Sequence, residues 1–266
     1  MRLLDRIFGR KPDPAPVVEI DPMTEALAAA KAGDYAVALP IWERLAEENH
    51  ARAQNNLGAC YAEGLGVAKN RGRAGDLLRR SAEAGDPVGQ RNYAAFHMQG
   101  LNGDDPDYPA AADYYRRAAN QGDAPAQDML SWMLLEGEVM PADPAEARRW
   151  AHEAAESGIA SSMTRLGMLY HNAIGVDREP HQAVYWWRKG AAAGDADAQA
   201  MLGAAYHMGA GTERDGVTAL AWLIRAVNGG STLASPFVGP VRESLSAEDI
   251  AEAERRAAAP LTEATP

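Results

Sequence analysis

The side chains best suited to chemistry in this sequence are few, and none is set in a complete motif. His152-Glu153-Ala-Ala-Glu156 resembles the opening of a zinc-protease helix, in which two histidines four residues apart hold the metal and the glutamate between them acts as base. Glu156 stands where the second histidine belongs. The face therefore offers only His152 and Glu156, and the expectation is a solvated helix with ordinary i,i+4 pairing. His171 and His207 lie 36 residues apart with no third ligand in register, so they read as equivalent positions of a repeat and not as a metal pair. Cys60 is the only cysteine. It can form neither an intrachain disulfide nor a cysteine-rich metal site, and its place beside Tyr61 predicts a buried core residue. There is no Gly-x-Ser-x-Gly, no Ser-x-x-Lys and no Gly-Lys pair, which removes the usual nucleophilic hydrolases and the phosphate-binding loop. The sequence predicts a non-enzymatic protein with no cofactor and no metal.

The elements that position these residues repeat. The tetrad Ala-x-x-aromatic, with glycine eight residues after the aromatic, recurs at Ala111/Tyr114/Gly122, Ala147/Trp150/Gly158, Ala183/Trp186/Gly194 and Ala219/Trp222/Gly230. Each copy follows the last by 36 residues. Ala74, Leu77 and Gly85 make an earlier copy one residue out of register, and Ala38 with Ile41 or Trp42 a first one without glycine. Between them runs Leu-Gly-x-x-Tyr followed by Gly-x-Gly, in full at Leu57, Gly58, Tyr61, Gly64 and Gly66 and again at Leu202, Gly203, Tyr206, Gly209 and Gly211. Leu166, Gly167, Tyr170 and Gly175 repeat most of it, whereas Tyr93 with His97 and Leu130 with Leu134 mark weaker copies. Two helices per period follow. Leu57 and Tyr61 share a face, Gly58 admits a neighbouring helix, the glycine-rich stretch ends the helix, and Gly-Asp pairs such as Gly33-Asp34, Gly85-Asp86 and Gly122-Asp123 punctuate the units. Trp150, Trp186 and Trp222 at this spacing are core and not a ligand box. A single unit cannot bury its apolar face, but stacked units can.

The expected architecture is all-α: an α-solenoid (superhelix) of about six 36-residue helix-turn-helix repeats over residues 21–230. A loop and a C-terminal capping helix occupy 231–259, and the tail 260–266 is expected to be disordered. Ser231 to Pro240 reads as loop, and Ser246 as the N-cap of a helix whose Ile250 and Ala253 or Ala257 cover the last repeat. Ahead of the array, residues 12–20 hold three prolines in five positions and read as an extended linker. Residues 1–11 carry Leu3, Leu4, Ile7 and Phe8 at helical spacing among Arg2, Arg6, Arg10 and Lys11. That is the pattern of a short helix docking weakly on a membrane surface or a protein, with an unstructured leader as the alternative.

The combined motif, Ala-Gln-x-x-Leu-Gly-x-x-Tyr with Gly-x-Gly-Val and then Ala-x-x-Trp with trailing Ala-Ala-x-x-Gly, closely resembles the Sel-one-like repeat family, relatives of the tetratricopeptide repeats. Ala53-Gln54 to Gly66-Val67 and Ala183 to Gly194 carry the likeness, which extends over about residues 24–230. The resemblance implies an adaptor. Similar bacterial proteins hold complexes together in signalling, envelope assembly, secretion or host contact, and some neutralise secreted lipase toxins. A cysteine-rich subgroup is associated with penicillin binding, but this chain lacks its cysteine pairs. An immunity-type or envelope-associated binder and a hydrolase of cell-wall or β-lactam-like substrates are the alternatives the resemblance leaves.

Partner binding is expected on the first helices, at positions the repeat does not need for packing: Asn55, Asn56, Arg91, Asn92, Asp128, Trp132, Thr164 and Arg165. Arg91, Trp132 and Arg165 would anchor a protein or peptide partner in a concave groove, the asparagines reading its backbone; the alternative is that all eight are hydrated side chains. A formal net charge of -11 argues against nucleic acid as partner. No run of about 20 apolar residues spans a bilayer and no secretory signal is recognised, so a cytoplasmic protein is expected.

Overall fold

Helices begin in this chain where a side chain can accept from an orphan amide. In the computed structural model, which describes residues 21–100 and 105–261, Asp21 accepts from Thr24 N at 2.9 Å at the head of α1 (Pro22–Lys31). Asp34 does the same for α2 (Tyr35–Glu47), and His50 and Asn70 for α3 (Ala51–Glu63) and α4 (Arg71–Glu83). Asp86, Asp107, Asp123 and Asp143 cap α5 (Pro87–Met98), α6 (Tyr108–Asn120), α7 (Ala124–Glu136) and α8 (Pro144–Glu156). The pair α9 (Ala160–Asn172) and α10 (Pro180–Ala192) has no side-chain cap. Asp195, Asp215 and Ser246 cap α11 (Ala196–Met208), α12 (Gly216–Asn228) and α14 (Ala247–Ala258), and α13 (Ser235–Glu243) lies between the last two. No strand occurs among the described residues. The segment 1–20 and residues 262–266, where a leader, linker and tail are expected from the sequence, fall outside them.

Consecutive helices form antiparallel hairpins that stack in chain order, α3 with α4, α5 with α6, and so on to α11 with α12. Trp150, Trp186 and Trp222 are buried at 3, 4 and 2% exposure, as the repeat register requires. Tyr114 is only half-buried, and Tyr115 takes the core place beside it. Cys60 is buried, and burial pushes its thiol pKa up. At Gly58 an added Cβ would meet Leu78 Cγ at 3.0 Å, so this glycine does let α4 close on α3.

The glutamine of the Ala-Gln signature has a specific task. Gln54, Gln90, Gln127 and Gln199 are buried, and each donates through Nε2 to the backbone carbonyl eight residues earlier, of Ala46, Ala82, Ala119 and Ala191, at 3.2 to 3.4 Å. Those carbonyls lie in the last turn of the second helix of the preceding hairpin, where each also accepts from the amide three residues on, so the glutamine fills a second lone pair. The bond therefore ties one hairpin to the next. In α9 the equivalent residue is Met163 and the tie is missing.

Four of the first helices, α3, α7, α9 and α11, close on a left-handed residue. Gly64, Gly137 and Gly209 take φ of 76, 70 and 70° at this place, and Ala173 takes it at 56°. A Cβ in that conformation costs roughly 1 to 2 kcal/mol. Ala173→Gly is therefore expected to raise the unfolding free energy by about 1 kcal/mol after the entropy of the added glycine is deducted. Denaturant unfolding at constant slope measures it, and a loss of stability would show that the Ala173 methyl is packed.

Residues 231–240 depart from the expected loop. Ser235–Glu243 is helical, because Pro236 sits in the first turn where a missing N–H is harmless, and Val241 is drawn to complete burial against the last repeat. Pro240 lies inside the helix and removes one bond near its end, which a helix this short tolerates when packing holds it. Beyond it α14 packs on α12. Ala253 is buried and Ile250 is seated against the same core. Ser246 Oγ and the Asp249 carboxylate form the cap, 2.7 Å apart.

Candidate functional site

The eight residues expected to meet a partner all fall on first helices, at the fifth and sixth residues of α3, α5 and α9 and at the fifth and ninth of α7, but most of them face one another. Asn92 Nδ2 donates to Asn55 Oδ1 at 2.8 Å across the junction of α3 and α5, and Asn55 in turn donates to Asn56 at 3.1 Å. One junction pairing recurs two repeats on, where Arg165 forms an ion pair with Asp128. Asp128 also accepts from Ser161 at 3.0 Å and from Ser162. Arg91 reaches Asp123, the cap of α7, at 2.8 Å, and Thr164 reaches Asp195, the cap of α11, at the same distance. Asn55 and Thr164 are buried. The polar residues thus form rungs between neighbouring repeats, and Arg91 and Arg165 are engaged within the chain, neither free anchors nor merely hydrated. A long side chain held in an ion pair with part-buried geometry has little freedom left to give to a ligand.

Trp132 is different. It is 36% exposed and lines a groove of about 460 Å³ across α7, α9 and α11, with Leu135, Glu136, Thr164, Arg165 and Met168. Met168 and Ile174 are 40 and 39% exposed and continue the apolar surface. On the rim stand Glu136, Asp195 and Asp197. Met168 occupies in α9 the position of Trp132 in α7, 36 residues earlier. That spacing of two large apolar residues on a face that needs neither for its core was the available signal for Met168; Ile174, in the turn after α9, had none. First helices touch first helices along this side, α3 against α5 and α9 against α11, which shortens the arc there and makes it the inner face of the array.

The remaining candidates for chemistry are occupied otherwise. The ring of His152 stands edge-on to Trp186 at 5.4 Å, and Glu156 pairs with Lys189 at 3.4 Å. His171 stacks at a tilt on Trp187. His97 is the one histidine driven into the interior. It packs between Tyr93 and Tyr114 at centroid distances of 4.5 and 5.9 Å, its Nδ1 has no hydrogen-bond partner, and the Asp107 carboxylate comes no nearer than 3.9 Å. Burial outweighs Asp107 and holds its pKa below the ordinary value. The unfolded chain then binds more protons than the folded one as pH falls below about 6.5, so the stability contributed by the neutral ring is full above that pH and is lost through the window beneath it. His97→Phe, which keeps the stacking and removes the titration, is expected to flatten that part of the stability profile between pH 7 and 5. Parallel profiles for the two proteins would refute the assignment.

Stacked helical hairpins with polar rungs at their junctions and an open apolar groove on the inner face define an α-solenoid of the protein-binding class. More narrowly, the chain belongs to the Sel1 repeat family, whose repeat matches residues 51–86, 87–123, 124–159, 160–195 and 196–231; the α1–α2 hairpin precedes these five. Proteins of this family generally mediate protein–protein contact and are generally non-catalytic scaffolds. A Sel1 repeat protein from Oxalobacter formigenes superposes with a TM-score of 0.76 at 27% identity, over 89% of this chain and 98% of that one. A protective antigen of uropathogenic Escherichia coli displaying an SLR fold gives 0.78 at 27% identity, over 88% of this chain and 56% of the antigen. The exopolysaccharide production negative regulator of Rhizobium meliloti is 28% identical over 157 residues, 53% of this chain and 57% of the regulator. This chain thus spans about half the length of the curated relatives it matches. No helix among the described residues is long and apolar enough to cross a membrane.

Proposed function

We propose that the chain is a non-catalytic adaptor that binds a protein or peptide partner on the inner, first-helix face of its array, with Trp132 as the central anchor. The observation that carries this reading is the exposure of Trp132, Met168 and Ile174 side by side in one groove. Large apolar side chains left in water beside a concavity are what a binding site requires and a repeat core does not. A standard interface of about 1,600 Å² extends over several repeats, so Asn56 and Asn92 on α3 and α5 belong to its outer part. The paired Asp128, Arg165, Arg91, Asn55 and Thr164 keep the face rigid for the partner, which lowers the ordering cost of binding. The overall charge of -11 favours a partner with a cationic surface. A regulatory setting is supported by the rhizobial relative, a negative regulator by name: an adaptor of this kind acts by holding a partner and not by turning over a substrate. We place the protein in the cytoplasm, on the support of a lone buried thiol such as a reducing compartment maintains.

The test uses Trp132→Glu in a protein of unchanged melting temperature. Partners captured from lysate of the source organism by the native protein are expected to bind the variant about 30-fold more weakly, the effect of losing roughly 2 kcal/mol at a hot spot. Equal retention by both proteins would remove the groove from the interface.

A further inference from the structure

The groove has a candidate occupant within the same sequence. We propose that residues 1–11 of this chain seat their apolar side chains in the groove of α7, α9 and α11 and thereby compete with the partner, an inference that rests on the adaptor reading given above. Three observations support this assignment. The first is charge. The groove's rim offers the carboxylates of Glu136, Asp195 and Asp197; its single guanidinium, Arg165, is already neutralised by Asp128. The Glu136 side chain has no hydrogen bond or ion pair among the described residues. Residues 1–11 bring Arg2, Arg6, Arg10 and Lys11 against Asp5 alone, so the segment and the rim are of opposite charge.

The second is shape. At helical spacing Leu3, Leu4, Ile7 and Phe8 form one apolar stripe, the form in which an amphipathic segment enters a groove by a few anchors. The groove presents Trp132, Met168 and Ile174 to receive them. Its volume of about 460 Å³ holds inserted side chains and not a whole helix, which fits a segment lying along the face with its cations over the acidic rim.

The third is reach. Residues 12–20 separate this segment from Asp21, the cap of α1, and the sequence Pro12-Asp-Pro14-Ala-Pro16 disfavours a helix between them. Nine residues span about 30 Å. From α1 the first helices α3, α5 and α7 follow in order along the inner face, and the chord across a concave face is shorter than the arc. The tether holds the segment near the inner face and gives it a high effective concentration there despite the weak affinity of eleven residues.

The experiment is disulfide trapping in the full-length chain. Cys60 is 2% exposed with a raised pKa and does not compete, so Phe8→Cys/Met168→Cys carries two reactive thiols. Phe8→Cys/Tyr185→Cys is the control, because Tyr185 is 48% exposed on α10, a second helix. With a mild thiol oxidant at low protein concentration, the first variant is expected to close an intramolecular disulfide about ten times faster than the control. Equal rates, or cross-links only between chains, would overturn the proposal. In the native background Leu4→Glu/Phe8→Glu is expected to tighten partner binding about 3- to 10-fold, as follows when the groove is closed in most molecules; unchanged affinity would also count against it. Trapping at Met168 together with full partner binding by Trp132→Glu would retire the adaptor groove and leave the docking of residues 1–11 standing. Loss of binding by Trp132→Glu without trapping would do the reverse.

Discussion

Trp187→Ala lowers the unfolding free energy of the array by about 3 kcal/mol, the lower part of the usual range for deleting a buried tryptophan. The ring is 1% exposed and is the largest of the fully buried side chains. It fills the space between α10 and α9 so closely that a Cβ at Gly167 would come within 2.2 Å of its Nε1. Two effects oppose each other. Removing the ring leaves a cavity lined by helices that glycine and alanine already hold close together, so collapse is limited and the cost is high. Against this, the indole N–H finds no acceptor, and an unpaired buried donor costs roughly 1 to 3 kcal/mol that the substitution relieves. Cavity and lost area win, but by less than the ring's size alone would suggest. Denaturant unfolding gives the magnitude, and amide exchange should show the loosening concentrated in α9 to α12, since each repeat touches only its neighbours. A change below about 1 kcal/mol would mean that the ring is not the keystone of this junction.

Gly211→Ala is expected to be as severe, at about 2 to 5 kcal/mol, for a reason unrelated to cavities. Gly211 has φ of 78°, where a Cβ costs roughly 1 to 2 kcal/mol. The same Cβ would stand 2.2 Å from the carbonyl oxygen of Pro180 and 2.4 Å from its carbon. These are backbone atoms at the head of α10 and cannot turn away as a side chain can, so the loop or the helix must move. Gly66 and Gly175 lie in the same place against Tyr35 and Pro144, so the glycine at this position, the second of the Gly-x-Gly where that is complete, seats one repeat's turn on the start of the preceding second helix. Gly194→Ala is the control. It shares the positive φ, at 89°, but meets nothing within 4 Å, and it should lose only the conformational part. Equal losses at the two positions would show that contact with Pro180 is not what matters.

Much of this fold is legible in the sequence because it rests on local rules used repeatedly. Gly-Asp punctuation marks helix ends by backbone conformation and capping, and a 36-residue recurrence of alanine and tryptophan marks the core. What escaped depends on which neighbour a residue meets across a junction. Trp186 and Trp187 are adjacent and chemically alike, and the repeat pattern points to Trp186, yet Trp187 is the more deeply buried because Gly167 opens space for it in the preceding helix. The site suffers from the same difficulty. Arg91 and Arg165 look like free hot-spot residues when seen one helix at a time, and only the stacking brings Asp123 and Asp128 to them. Trp132 was legible because no junction claims it. The helix Ser235–Glu243 was hidden by its two prolines, whose penalties are small at the places they occupy.

The rungs also bear on how freely the array can be edited. The fifth residue of one first helix faces the sixth of the next, as Asn55 faces Asn92 and Asp128 faces Arg165, yet no two junctions use the same pair. Excising residues 124–159, one full period, would keep the remaining glycines and core alanines in phase. It would also strip Arg165 of Asp128 and bring it opposite Arg91, so that two guanidiniums would meet with Asp123 as their shared carboxylate. Units that look interchangeable by their core are keyed by polarity to one order, so copy number here is an inherited property of the whole sequence and not a dial that gain or loss of a module can turn.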